Sequence, residues 1–394
     1  MRGRLLRLSV LAWLLLGLTL LFFPYFSTWP GFAWFLDHLA ETTGISLTPF
    51  QLTTFAVWLV ILTGLNLLTG YSGQISLGHG ALVAAGAYIV AILLDRTGTP
   101  VAVAILVGGL GAGAIGFAIG VPALRLTGPY LAIATLALIV SMPQILKMDA
   151  VNDWTGGASG IDLPLARAPG VIDGLVDDRQ WLYYSVMLPA IIMTVLARNL
   201  TRSRIGRAFI ALRDSEIGAQ QMGVNIALYK TLAFGLSALY AGVGGGLFVY
   251  SQDFASPESF SVFQSITLLV VLVIGGLASI LGAILAAVFF TFQTGVISRL
   301  GEVLPAVDRL RWAIYGGLLI LIMIALPSGA AGLVQRLSLL RPAKTLAEWR
   351  GGGLRAPLAS LRAHPAVERL LGVPRERIYD RDLPPEEGGG RPKR

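Results

Sequence analysis

Apolar runs about twenty residues long, separated by short polar stretches, set the pattern of this chain. A hydrocarbon core about 30 Å thick takes about 20 helical residues to cross, and that ruler divides the sequence into about ten spans. The first is Leu8–Phe23, behind the basic start MRGRLLR. Pro24, Tyr25 and Phe26 follow it where a cleavage site would need small residues, so it reads as an uncleaved span. The next are Phe50–Thr69, Gly78–Leu94, Val101–Val121, Pro129–Leu146, Trp181–Ala197 and Thr231–Tyr250. Gln264–Ile297 is too long for one span and holds Gly275, Gly276 and Gly282, so it is split in two near Gly276–Ser279. The last span, Trp312–Leu326, stops at Pro327.

The polar interruptions orient these spans. Arg198 to Lys230 carries Arg198, Arg202, Arg204, Arg207, Arg213 and Lys230 against Asp214 and Glu216. Met148 to Gln180 carries Asp149, Asp153, Asp162, Asp173, Asp177 and Asp178 against Arg167 and Arg179. The span Trp181–Ala197 joins the two loops, so opposite signs fall on opposite sides of a membrane and the basic loop is expected inside. Both termini are then cytoplasmic, and a short inner turn holds Arg125. The expected organisation is 1–49 as first helix and outer segment, 50–335 as the membrane core, and 336–394 as a basic, partly disordered tail.

Composition fixes the class. Over 394 residues, 55% hydrophobic and 13% charged, with a mean hydropathy of +0.72, the chain is all-α and polytopic rather than a soluble globule. A net charge of +8 would otherwise suggest nucleic acid, but the excess sits in short loops and the tail, where lipid-facing topology accounts for it. No Cys is present, and His38, His79 and His364 are scattered, so no metal site is expected. The centres of the assigned spans hold no ionisable residue, which argues against proton coupling and against a catalytic residue in this chain. Polar groups at depth are neutral: Asn66, Thr135, Gln144, Gln264 and Gln293, read as interhelical hydrogen bonds. The chain has no GxxxxGK[ST] motif, so no nucleotide site is assigned to it.

Within the basic loop, Ile205, Phe209 and Leu212 repeat at helical spacing, which predicts an amphipathic helix over Arg204–Arg213 with Ser203 as a possible cap. A second short helix follows, with Asp214 as N-cap, Glu216 in its first turn and Gly223 as a left-handed stop. Gly109, Gly113, Gly116 and Gly120 share one helix face, and Gly242 and Gly246 repeat the spacing, which lets backbones approach closely. Pro143 and Pro189 are expected to kink their spans. Gly70 to Gly80 mixes four glycines with Ser72, Gln74 and Ser76, a composition poor for continuous helix and suited to exposed backbone around a polar lumen. His79 by itself reads as a hydrogen-bonded structural residue.

The stretch GYSGQISLGHGALVAAGAY (Gly70 to Tyr88) closely resembles the signature of the branched-chain amino-acid ABC permeases of the LivH and LivM type. LTGPYLAIATLA (Leu126 to Ala137), TGGASGI (Thr155 to Ile161), the loop from Ser203 to Phe234, GGLASILGA (Gly275 to Ala283) and YGGLLILIMIALPSG (Tyr315 to Gly329) agree in order, the first two with the LivM branch. Ala283 stands where the family often has Pro, and the tail beyond Arg341 has no counterpart. The resemblance implies a permease subunit of an importer for branched-chain amino acids in a bacterial inner membrane. Implied partners are a LivH-like second permease subunit, two cytoplasmic ABC ATPases that bind the ATP and magnesium, and an extracytoplasmic solute-binding protein; this chain itself takes no cofactor. Arg207, Arg213, Asp214, Glu216 and Gly223 then match the family's coupling loop, and Ser72, Gln74, Ser76 and Thr135 are the expected pathway residues. The alternatives are a permease for urea or short amides, an ATP-independent facilitator, and a membrane-embedded transferase using the acidic outer loop.

Overall fold

A computed structural model describes residues 23–25, 30–43, 46–123, 126, 128–168, 177–303, 316–317, 320 and 329–333. The expected spans Leu8–Phe23 and Trp312–Leu326, Arg125, Asp173 and the tail from Arg341 lie outside, or almost wholly outside, those residues. The elements described below belong to the unit of residues 1–333.

Helix α1, Pro30–Thr43, precedes α2, Pro49–Leu65, which Thr48 caps by accepting from the Gln51 N–H. Without a break, α2 widens into a π-turn over Asn66–Tyr71. After a non-helical passage come α3, His79–Thr97, α4, Val101–Ala123, and α5, Pro129–Leu146. A short α6, Asp149–Thr155, bends 78° away from α5. The sharp turn sits at Lys147 and Met148 rather than at Pro143, which stays inside α5. The long α7, Asp178–Arg202, leads to α8, Arg204–Asp214, and α9, Glu216–Gln221. Then follow α10, Ile226–Gln252, α11, Val262–Gly275, and α12, Ile280–Val303. The break expected at Gly276–Ser279 is where α11 ends and α12 begins.

Among the described residues six helices are long and apolar enough to cross a membrane, or seven if α5 and α6 count as one bent span. This is a multi-pass membrane protein. At its centre stands α10, against which α2, α3 and α4 pack. Close approach there depends on glycine. A Cβ on Gly86 of α3 would lie 2.1 Å from the Gly242 Cα of α10, and one on Gly242 would meet Gly108 O of α4 at 2.7 Å. The Ala112 methyl of α4 stands 2.4 Å from that same position, so the three helices meet through glycine and alanine, which is the small-residue contact read from the sequence.

The acidic face carries a compact cap. Thr155 donates to Leu146 O at 2.6 Å, and the two-residue strand β1 (Ile161–Asp162) pairs antiparallel with β2 (Phe254–Ala255). Arg96 stacks over Trp154 at 4.5 Å, and Lys147 reaches Glu258 at 3.2 Å.

Candidate functional site

Ser72 to Gly78 leaves helical geometry at the basic end of α2 and returns toward mid-depth. The depth is fixed by His79, which is fully buried and whose Nε2 lies 3.1 Å from Ile61 O, near the midpoint of the 23-residue Pro49–Tyr71 span. Since a carbonyl only accepts, Nε2 carries the proton and Nδ1 accepts from the Ser237 hydroxyl at 3.4 Å. This corrects one expectation: an ionisable residue does lie at the centre of the bundle. Sequence position hid it, because His79 is the first residue of its helix while that helix starts deep inside the membrane.

Backbone that is not helical at membrane depth needs outside partners. The Leu77 N–H donates to Thr135 Oγ1 at 3.0 Å. Ser265 Oγ donates to Leu77 O and accepts from the Gly80 N–H at 3.2 Å. Gln74 donates through Nε2 to Ser72 Oγ at 2.9 Å and to Lys230 O at 3.4 Å, and its carbonyl accepts from Thr69. Gly78 could carry no side chain, for its Cβ would stand 2.0 Å from Thr135 O. Beyond Gly80 a narrow cavity opens, lined by Trp58, Val83, Phe248, Phe260, Gln264 and Leu268.

Ser72, Gln74, Ser76 and Thr135 are therefore brought together, but each is buried, at 5%, 7%, 1% and 4% exposure. In this conformation none of the four faces solvent. Exposure alternates along the passage: Gly73 and Ile75 are exposed, while Ser72, Gln74 and Ser76 are buried.

The basic loop folds as two helices, with one change to its cap. Ser203 accepts from the Ile205 N–H to start α8. Ser215, not Asp214, caps α9, accepting from the Gly218 N–H at 3.1 Å. Asp214 remains helical as the last residue of α8 and pairs with Arg213 at 2.9 Å. Phe209 and Leu212 are buried and Ile205 half-buried, with Phe209 set edge-on against Tyr229. Gly223 is left-handed at φ 79°. Arg207 is exposed and donates to Arg202 O.

Two of the expected coupling residues hold this knob onto the spans. Arg213 Nη1 donates to Gly70 O at 3.3 Å, and its stem fills the space where a Cβ on Gly73 would sit. Glu216 pairs with Lys230 of α10 at 2.7 Å. What the knob offers outward instead is Ile217, 73% exposed, and Met222, 86% exposed. Sequence reasoning passed over both; the signal was two apolar residues in a polar loop. On the far side of the π-turn, Asn66 donates to Ser279 O at 2.8 Å and accepts from the Ala278 N–H at 3.0 Å, so it grips the break between α11 and α12.

Compared with known protein families, residues 43–323 match the one described as branched-chain amino acid transport system / permease component. The chain belongs to that permease family. The high-affinity branched-chain amino acid transport system permease protein LivM of Escherichia coli K12 is 34% identical over 300 residues, covering 70% of this chain and 68% of its own. LivM of Salmonella typhimurium is 33% identical over the same shares. The autoinducer 2 import system permease protein LsrC of Photorhabdus laumondii is 28% identical over 133 residues, 30% of this chain and 40% of its own. No solved structure matches. A LivM-type permease thus combines, on one chain, a non-helical passage inside the bundle and a two-helix knob tied to the Gly70–Gln74 end of it.

Proposed function

We propose that this permease is one half of the pore of an ABC importer for branched-chain, hydrophobic amino acids in a bacterial inner membrane. Its basic face is cytoplasmic, with both termini on that side. There two ATPases bind ATP and magnesium, while a LivH-like subunit completes the pore and a solute-binding protein docks on the acidic face. The observation that carries this reading is the knob. Its apolar tip, Ile217 and Met222, stands in water at the end of a helix pair that Arg213 and Glu216 fasten to the spans. Exposed apolar side chains on a rigid projection suit a partner's groove. Closure of the ATPases would then move α8 and α9, and through them the π-turn and α10. ATP can bias the inward and outward states only by the difference in ATPase affinity for the two. The relatives' names, which concern branched-chain amino acid transport, support the substrate class.

The test is purification of the tagged chain from its native membrane in mild detergent, followed by leucine uptake into vesicles containing what was recovered. A second permease, two ATPases and uptake that requires ATP are the expected result. Uptake that proceeds without ATP in an intact complex overturns the reading.

A further inference from the structure

We infer that the outward face of the extended passage, Gly73 and Ile75, lines the route of the transported molecule, and that Ile75 and its own peptide groups form a contact site for an aliphatic zwitterion. The inference rests on the transport reading above and names where in this chain the substrate is met.

The first step is peptide accounting. Leu77 N–H and C=O, Gln74 C=O and the Gly80 N–H are all paired, as described, and the Gln74 N–H donates to Leu68 O at 3.1 Å. The N–H and C=O of Ile75, like those of Gly73 and Ser76 beside it, have no hydrogen-bond partner among the described residues. Ile75 is also 46% exposed, while Ser76 next to it is 1% exposed. Its depth is bracketed on one side by Gln74, which reaches Lys230 O in the second turn of α10, and on the other by His79 at the midpoint. A free peptide group set against hydrocarbon costs several kcal/mol, so this edge does not face lipid.

The second step is access. The passage opens at the knob, where Gly73 and Arg213 are exposed, so water reaches Ile75 along the same face. A water-lined route satisfies the peptide groups without a second protein having to match them. The same elements fit a ligand. An N–H suits a carboxylate, a C=O suits an ammonium, and between them Ile75 offers an aliphatic side chain. A zwitterion with a branched hydrocarbon side chain uses all three.

Absence of native cysteine makes the test direct. Ile75→Cys and Ser76→Cys variants, each in the complex within native membrane vesicles, are treated with a charged, water-soluble methanethiosulfonate and separately with a lipid-soluble maleimide. The expected result is charged-reagent labelling of Ile75→Cys about tenfold faster than of Ser76→Cys, in line with thiol exposure, and slowed by millimolar leucine. Labelling by the maleimide alone, which means lipid, or by neither reagent, which means a covering partner, overturns the inference. Labelling that leucine leaves unchanged overturns the substrate contact. Ile75→Trp gives a second readout: with an exposed side chain replaced, the complex still co-purifies and uptake falls severalfold. Unchanged uptake counts against the site. ATP-dependent leucine uptake by the unaltered complex, measured in parallel, separates a failure here from a failure of the transport reading.

Discussion

The Lys230 ammonium lies 2.7 Å from the Glu216 carboxylate, and the carbonyl of the same lysine accepts from the side chain of Gln74. One residue of α10 thus joins the knob to the extended passage. Lys230 is 9% exposed at its side chain and Glu216 47%. The pair is therefore screened on one side only, and its loss leaves a nearly buried ammonium without a counter-charge.

Glu216→Lys sets two ammonium groups against each other at that point. It should leave the chain inserted and cost roughly 2 kcal/mol, a value kept low because Glu216 is half in water. Leucine uptake should fall while ATP hydrolysis by the complex persists. Restoration of part of the uptake by combining it with Lys230→Glu would assign the effect to the pair; undiminished uptake in the single variant would remove Glu216 from the coupling path.

Asn66→Ala deletes both hydrogen bonds to the break between α11 and α12 and leaves Ala278 N–H and Ser279 O unpaired. Leaving a buried group unpaired costs roughly 1–3 kcal/mol, and these two, being part-buried, fall toward the lower end. The variant should unfold at lower temperature in detergent and lose uptake, whereas Asn66→Asp, which can still accept from Ala278, should lose less. Equal melting of Asn66→Ala and the unaltered protein would refute the clamp.

Two glycines predict opposite outcomes. Gly86→Val would place atoms inside the Gly242 backbone, so little folded protein should survive extraction. Gly98 has φ 58°, and a Cβ added to it would meet nothing within 4 Å. Gly98→Ala should therefore cost only the left-handed strain, about 1 kcal/mol, and keep full uptake. Recovery of both variants at similar yield would disprove the close crossing.

Ile217→Asp together with Met222→Asp alters two side chains that touch almost nothing in this chain. Thermal stability of the isolated permease should be unchanged, and co-purifying ATPase should drop by an order of magnitude or more. Retention of the ATPase would move the docking surface elsewhere.

Asp253 sits just past α10 at φ 53°, and its Oδ1 is buried with no hydrogen-bond partner among the described residues. Burial raises its pKa, and a hydrogen bond from the Ala166 backbone offsets this only in part. A raised carboxyl binds its proton more tightly folded than unfolded. Its contribution to stability is therefore lost as pH rises from the ordinary carboxylate range through the raised value. Melting temperature should climb on acidifying from neutral pH toward the carboxylate range, and Asp253→Asn should flatten that slope. An identical slope in the variant would show the carboxyl to be silent.

Spans and the two-helix knob were legible because both rest on local signals: apolar run length, the spacing of Ile205, Phe209 and Leu212, and the Ser203 cap. The glycine crossings were also readable, since Gly109, Gly113, Gly116 and Gly242 are spaced at helical repeats. Direction at the site was not. Ser72, Gln74 and Ser76 are polar yet buried; the Gln74 side chain turns inward because Lys230, distant in sequence, supplies a carbonyl there. Ser215 took the cap from Asp214 because Asp214 stayed helical beside Arg213. His79 lies at mid-depth only because the passage before it is extended and covers the distance in few residues.

The crossing at Gly242 also turns α10 into a lever. The helix has 27 residues, which at about 1.5 Å each makes a rod about 40 Å long, and the backbone contact lies roughly three fifths of the way from its knob end. With nothing larger than the Ala112 methyl there to compress, a push on Lys230 would be taken up as rotation about the contact rather than as bending. The two ends then swing in opposite directions, the far end by about two thirds of the near one in the proportion of the arms. A displacement at Lys230 would then be felt, reversed in sense, at Phe248 on the other arm.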